Sequence, residues 1–143
     1  ISMRSVMPRS TPIYGLDTSV FVRLLTGHPE AEYKSSVLAL KRLHAKQPST
    51  ELVVSNQVIG EAYITLQYFY KIPKEAAKQA ISELFASGNV SPLNGASILE
   101  ILKKSSGAGL MDRLIIEDYK QRGHPVLTND KRMAKVEGAR ILK

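Results

Sequence analysis

Ile13-Tyr14-Gly15-Leu16-Asp17-Thr18-Ser19 is a short apolar run that ends in an acid followed by two hydroxyl side chains. A run of that length bounded by polar residues fits a buried strand. Asp-Thr-Ser after it supplies N-cap chemistry for a helix over Val20–Leu25, stopped by Thr26-Gly27. The same arrangement returns near the far end of the chain. Pro125-Val126-Leu127-Thr128 is a second apolar run, and it reaches Asp130 through Asn129. Two strands that each hand over to an acid predict a sheet with polar groups at its carboxyl ends, where open α/β sheets place their working residues.

Between these blocks, apolar stretches alternate with helical periodicity. A helix is predicted from Glu30 to about Lys46, with Val37, Leu38, Leu40 and Leu43 at helical spacing. Leu52-Val53-Val54 reads as a second strand. Ser55-Asn56 then caps a helix to about Tyr70, whose apolar stripe is Val58, Ala62, Leu66 and Phe69. Pro73, at a first-turn position, opens another helix to about Ser87-Gly88. Asn89–Pro92 is a weak third strand, Ala96–Leu102 a short helix, and Leu110–Gln121 a helix closed by Gly123. Beyond strand Val126–Thr128 come a helical turn around Lys131–Val136 and a last strand, Ala139–Leu142. This order predicts an α/β protein of three layers, α/β/α and Rossmann-like, with a mostly parallel sheet of about five strands. Right-handed crossovers would bring the ends of the first and fourth strands to one edge, so that Asp17 and Asp130 meet.

The chain of 143 residues is read as a single domain spanning 1–143. Ile1 is not an initiator, and residues 1–10 are expected to be a tag remnant or a disordered arm. There is no cysteine, which excludes disulfides, thiolate metal sites and cysteine nucleophiles. No apolar run approaches the roughly 20 residues needed to span a bilayer, and no signal peptide is evident, so a cytoplasmic location is expected. The formal charge is +7, the sign expected of a protein that attracts polyanions. Lys103 and Lys104 precede Asp112, and Lys131, Arg132 and Lys135 follow Asp130.

Four acids stand out: Asp17, Glu61, Asp112 and Asp130. Each also has an ordinary reading. Asp17 and Asp130 suit N-caps, and Asp112 in a first turn suits the helix dipole. Glu61 is less easily dismissed, because it lies on the margin of an apolar stripe above Thr65. Gathered in one crevice, the four would hold a hard divalent cation such as Mg²⁺ or Mn²⁺ through oxygen ligands. Without the cation they would repel and raise one another's pKa values. Glu51, Glu75, Glu83, Glu117 and Asp118 read as solvated surface, as do His28, His44 and His124. There is no Gly-x-Ser-x-Gly elbow and no phosphate loop, since Ser105-Ser106-Gly107-Ala108-Gly109 lacks the following lysine. The second aspartate of a haloacid-dehalogenase-like phosphatase is missing after Asp17, and the features of a phospho-acceptor receiver domain are unconvincing.

From Pro12 to Leu142 the chain resembles PIN-domain nucleases, above all the VapC-type toxins of type II toxin–antitoxin pairs. The resemblance runs from Ile13-Tyr14-Gly15-Leu16-Asp17-Thr18-Ser19, through Glu61, to Asp112-Arg113-Leu114-Ile115. It ends in Gly123-His124-Pro125-Val126-Leu127-Thr128-Asn129-Asp130-Lys131, its most specific block. It implies a PIN-like fold and a Mg²⁺- or Mn²⁺-dependent endoribonuclease, with Asp17, Glu61, Asp112 and Asp130 as the acidic site. Asp17, Asp112 and Asp130 would ligate metal, and Glu61 would place a water or a second cation. Ser19 and Thr128 would orient carboxylates from behind. Met133 departs from the aromatic residue common at its position. An antitoxin protein, RNA as substrate and a homodimer are the partners this implies. A PIN-domain nuclease processing RNA or DNA without an antitoxin is the alternative, and a non-catalytic nucleic-acid-binding module a third.

Overall fold

The strands and helices expected from the sequence form, with ends shifted by only a few residues, in the computed structural model, which describes residues 11–143. The expectation for residues 1–10 falls outside the described residues. In chain order the elements are β1 (Ile13–Gly15), α1 (Thr18–Thr26), α2 (Glu30–Lys46), β2 (Glu51–Val54), α3 (Asn56–Tyr68) and α4 (Lys74–Ala86). They continue with β3 (Ser91–Pro92), α5 (Ser97–Leu102), α6 (Leu110–Lys120), β4 (Val126–Thr128), a 3-10 turn (Met133–Lys135) and β5 (Ala139–Ile141). Caps explain the boundaries. Asp17 accepts from the amide of Val20, and Gly27 closes α1 in the left-handed conformation that costs a Cβ-free residue nothing. Ser55 accepts from the amide of Val58 at the start of α3. Pro73 stands just outside α4 as its N-cap, in extended conformation, instead of within the first turn.

All five strands pair in parallel, but in two ladders and not one. β1, β2 and β3 form a sheet in that order, with Ile13 opposite Glu51 and Val53 opposite Ser91. β4 and β5 pair separately, Val126 opposite Ala139. No ladder joins β4 to β1 among the described residues, so the sheet edge expected to set Asp17 beside Asp130 is not formed. Ile13 stays 57% exposed on the open edge, and Leu127 of β4 55% exposed. The strand pair finds its apolar cover on α6 instead. Val126 and Met133 pack with Ile116, and a Cβ on Gly138 would come within 3.2 Å of Ile116 Cγ2.

The main core lies between the three-stranded sheet and α1, α3, α4, α5 and α6. Phe21, Val54, Ile59, Leu66, Ile81 and Ile98 are almost fully buried there, each contributing roughly 1.5–3 kcal/mol. Phe21 stacks on Phe85 with ring centroids 5.8 Å apart. The stripe predicted on α3 is displaced. Ile59 and Tyr63 are buried with Ala62 and Leu66, whereas Phe69 is 76% exposed beyond the helix end. α2 is the loosest element and buries no residue completely. Among the described residues, no helix is long and apolar enough to cross a membrane.

Where α3 crosses α6, a Cβ on Gly60 would stand 2.8 Å from both Met111 Cε and Sδ. The methionine tip is flexible, so Gly60→Ala is expected to be nearly neutral, its helix-propensity gain offset by moving Met111. Gly60→Val adds branches that must part the helices and is expected to cost about 1–3 kcal/mol. Urea melts of both variants check this: equal midpoints would mean that the crossing tolerates wider spacing.

Candidate active site

The chain leaves β1 at Leu16, whose amide still donates to Val53 O, and turns at once into α1. That turn fixes Asp17. Its Oδ1 accepts from the amide of Val20 at 3.0 Å and from Ser19 Oγ at 2.9 Å. These bonds, led by the Val20 amide and aided by the charge of Arg23, hold its carboxyl below the usual carboxylate range. The expected mutual repulsion is therefore not what governs Asp17; helix capping is. The next residue, Thr18, donates from Oγ1 to Glu61 Oε1 at 2.8 Å and so ties the start of α1 to α3. Asp112 lies half-buried in the first turn of α6, beside the crossing of Met111 over Gly60. These three acids thus come from adjoining helices.

Asp130 belongs to the separate strand pair. Its Oδ1 accepts from the amides of Arg132 and Met133, at 2.8 and 3.1 Å, and caps the 3-10 turn. Its own amide donates to Thr128 Oγ1, so Thr128 braces the loop backbone and makes no bond to the carboxylate. Ser19, by contrast, does bond the carboxylate it was expected to orient.

Each capped acid keeps one oxygen without a protein donor among the described residues, and Asp112 keeps both. None of the four is in an ion pair there, although the chain carries 20 Lys and Arg. An all-oxygen donor set of this kind suits a hard divalent cation. Placement is less complete: among the described residues no three His, Asp or Glu stand close enough to grip one ion.

Two acids read as surface have partners instead. Glu117 is only 8% exposed, and its Oε1 accepts from Ser97 Oγ at 2.7 Å and Gln121 Nε2 at 2.8 Å. Asp118 Oδ1 accepts from Asn56 Nδ2 and Asn94 Nδ2, each at 2.9 Å. Asn56, buried at the start of α3, also donates to Leu114 O and so pins α3 to α6. From the sequence, Asn56 and Thr18 read only as parts of helix caps. Thr18 sits beside an acid, but nothing local showed that it reaches across to another helix. His44 is half-buried on α2, its Nδ1 3.0 Å from Leu40 O, while His28 and His124 are exposed.

No curated protein and no solved structure matches this chain. A family model does: that of the PIN domain matches residues 14–139, from β1 through the acids to β5. With nearly its whole described length matched, the chain belongs to the PIN-domain family of nucleases.

Proposed function

We propose that this protein is a Mg²⁺- or Mn²⁺-dependent endoribonuclease, the cytoplasmic toxin of a toxin–antitoxin pair. The observation carrying this reading is the PIN-domain match over residues 14–139, which takes in Asp17, Glu61, Asp112 and Asp130. Asp17, Asp112 and Asp130, which do not stand close enough to grip one ion as they are, would have to close on the cation, and when bound it would supply Lewis acidity to a phosphodiester and acidify a water. The chain's own part is to hold the donors. Ser19 and the Val20 amide occupy Asp17 Oδ1, leaving Oδ2 available. Glu61, steadied by Thr18, keeps a free oxygen to orient the attacking water. Thr128 stiffens the approach to Asp130.

An antitoxin has a seat to fit. An apolar cleft of about 450 Å³ lies under α2, lined by Leu24, Tyr33, Val37, Leu40 and Leu84. A partner's amphipathic helix laid there would cover what α2 leaves open. An arginine from that partner would pair with the free carboxylates in place of the cation. The same exposed apolar surface favours a homodimer when the partner is missing.

Purified protein with mixed RNA and Mg²⁺ or Mn²⁺ is expected to give discrete fragments, and expression alone should slow growth of its host. Intact RNA under both metals would overturn the nuclease reading. Fragments with unaffected growth, and no partner gene beside this one, would favour a processing nuclease without an antitoxin.

A further inference from the structure

On the side of α6 turned away from α3 lies a second cleft, of about 690 Å³, whose walls come from three separate parts of the chain. Lys104 lines it from the end of the α5 segment, Arg113 and Lys120 from α6, and Arg132 and Lys135 from the 3-10 turn. None of these five cations is in an ion pair among the described residues. Two acids share the wall: Glu117, which is already occupied by Ser97 and Gln121, and Glu137, so the five cations outnumber them. The volume falls within the roughly 300–1,000 Å³ of ordinary ligand sites.

The rim is prebuilt. Buried Lys78 donates from Nζ to Lys104 O at 2.6 Å, which anchors the loop where the cleft begins. Arg113 donates from Nε to Ala108 O at 2.9 Å and from Nη2 to Ser106 O at 3.1 Å. Gly107 between them takes a positive φ, and a Cβ there would stand 3.1 Å from Arg113 Nη2. None of the four acids lines the cleft, but two of them share its elements. Arg113 follows Asp112 on α6, and the turn bearing Arg132 and Lys135 is the one Asp130 caps.

We infer that this cleft binds the sugar–phosphate backbone of single-stranded RNA next to the bond being cut. The inference rests on the nuclease reading for its substrate. Five cations lining one cleft, with Arg113 fixed by the loop, suit phosphates spaced along a strand, whose binding releases counterions. The side chains come from elements that also carry Asp112 and Asp130, so phosphates held here would keep the neighbouring bond near those acids.

The test is fluorescence anisotropy of a labelled single-stranded RNA with the full chain in EDTA, where cleavage does not interfere. Lys104→Glu/Lys120→Glu/Lys135→Glu is expected to weaken binding at least about tenfold. It should also lower the salt slope by about 2, close to 0.7 for each phosphate that no longer meets a lysine. Lys34→Glu/Lys46→Glu/Lys74→Glu, with the same change of net charge on α2 and α4, is expected to weaken it far less. Equal effects of the two triples, or none of the first, would overturn the inference. Thermal melts check folding, and if the glutamate triple melts early, the glutamine triple at the same positions should reduce affinity by a smaller factor in the same order. RNA binding that depends on the cleft in a protein that never cleaves would sink the nuclease reading and keep the cleft as an RNA-binding surface alone. Normal cleavage with a cleft-independent affinity would do the opposite.

Discussion

Asp17→Asn and Asp130→Asn are each expected to lower RNA cleavage by more than about 100-fold while the protein stays folded. The lower bound follows because outer partners of metal ligands alone typically matter 10–100-fold, and these acids are proposed as ligands themselves. Folding should survive because asparagine caps a helix about as well as aspartate, and capping is what both side chains do in the structure. Stability is expected to hold or drop slightly at neutral pH; no gain is expected, because Asp17 is not strained by like charge. The lowered pKa of Asp17 sets the direction of its pH dependence. A depressed folded value stabilises the native state above the unfolded value, near 3.8, and that advantage disappears as pH falls through the folded one. Wild type and Asp17→Asn should therefore converge in acid. Asp118→Asn is a poor control, since Asp118 holds Asn56 and Asn94. Glu51→Gln, exposed at the opposite end of β2, is a better one and should cleave normally. Cleavage by Asp17→Asn at the rate of Glu51→Gln would remove Asp17 from the site.

Removing divalent cations is the second large effect. Cleavage should vanish in EDTA and return with Mg²⁺ or Mn²⁺, and Ca²⁺ should substitute poorly because its coordination is looser and higher. A thermal readout separates binding from turnover. A ligand of the native state at 100 times its Kd adds about 2.7 kcal/mol, so Mn²⁺ should raise the wild-type Tm by several degrees. The Asp17→Asn and Asp130→Asn proteins should show little of that rise. A rise in Asp130→Asn equal to wild type would mean that Asp130, on its separate strand pair, takes no part in holding the ion. Full activity after exhaustive chelation would point to metal-independent chemistry, for which the exposed His28 and His124 and the α2-bound His44 are badly placed.

Local rules carried far in this chain. The alternation of strands and helices, their caps at Asp17 and Ser55, and the stop at Gly27 could be read directly, because capping and periodicity act over a few neighbouring residues. The acids followed from the same reading, since Asp17 and Asp130 lie where a strand hands over to a helical turn. What tertiary structure alone decided was which faces found partners. Three-residue strands carry little register information, so nothing in Val126–Thr128 foretold that it would leave β1 open and settle with β5 against Ile116. Glu117 looked solvated because its sequence neighbours are polar; it is buried because Ser97, twenty positions earlier, meets it across the α5–α6 packing. Phe69 looked like core at helical spacing, yet α3 ends at Tyr68 and leaves it in solvent. The basic cleft is the clearest case. Lys104, Arg113, Lys120, Arg132 and Lys135 are ordinary surface cations one at a time, and only the packing of the strand pair on α6 makes them face one another.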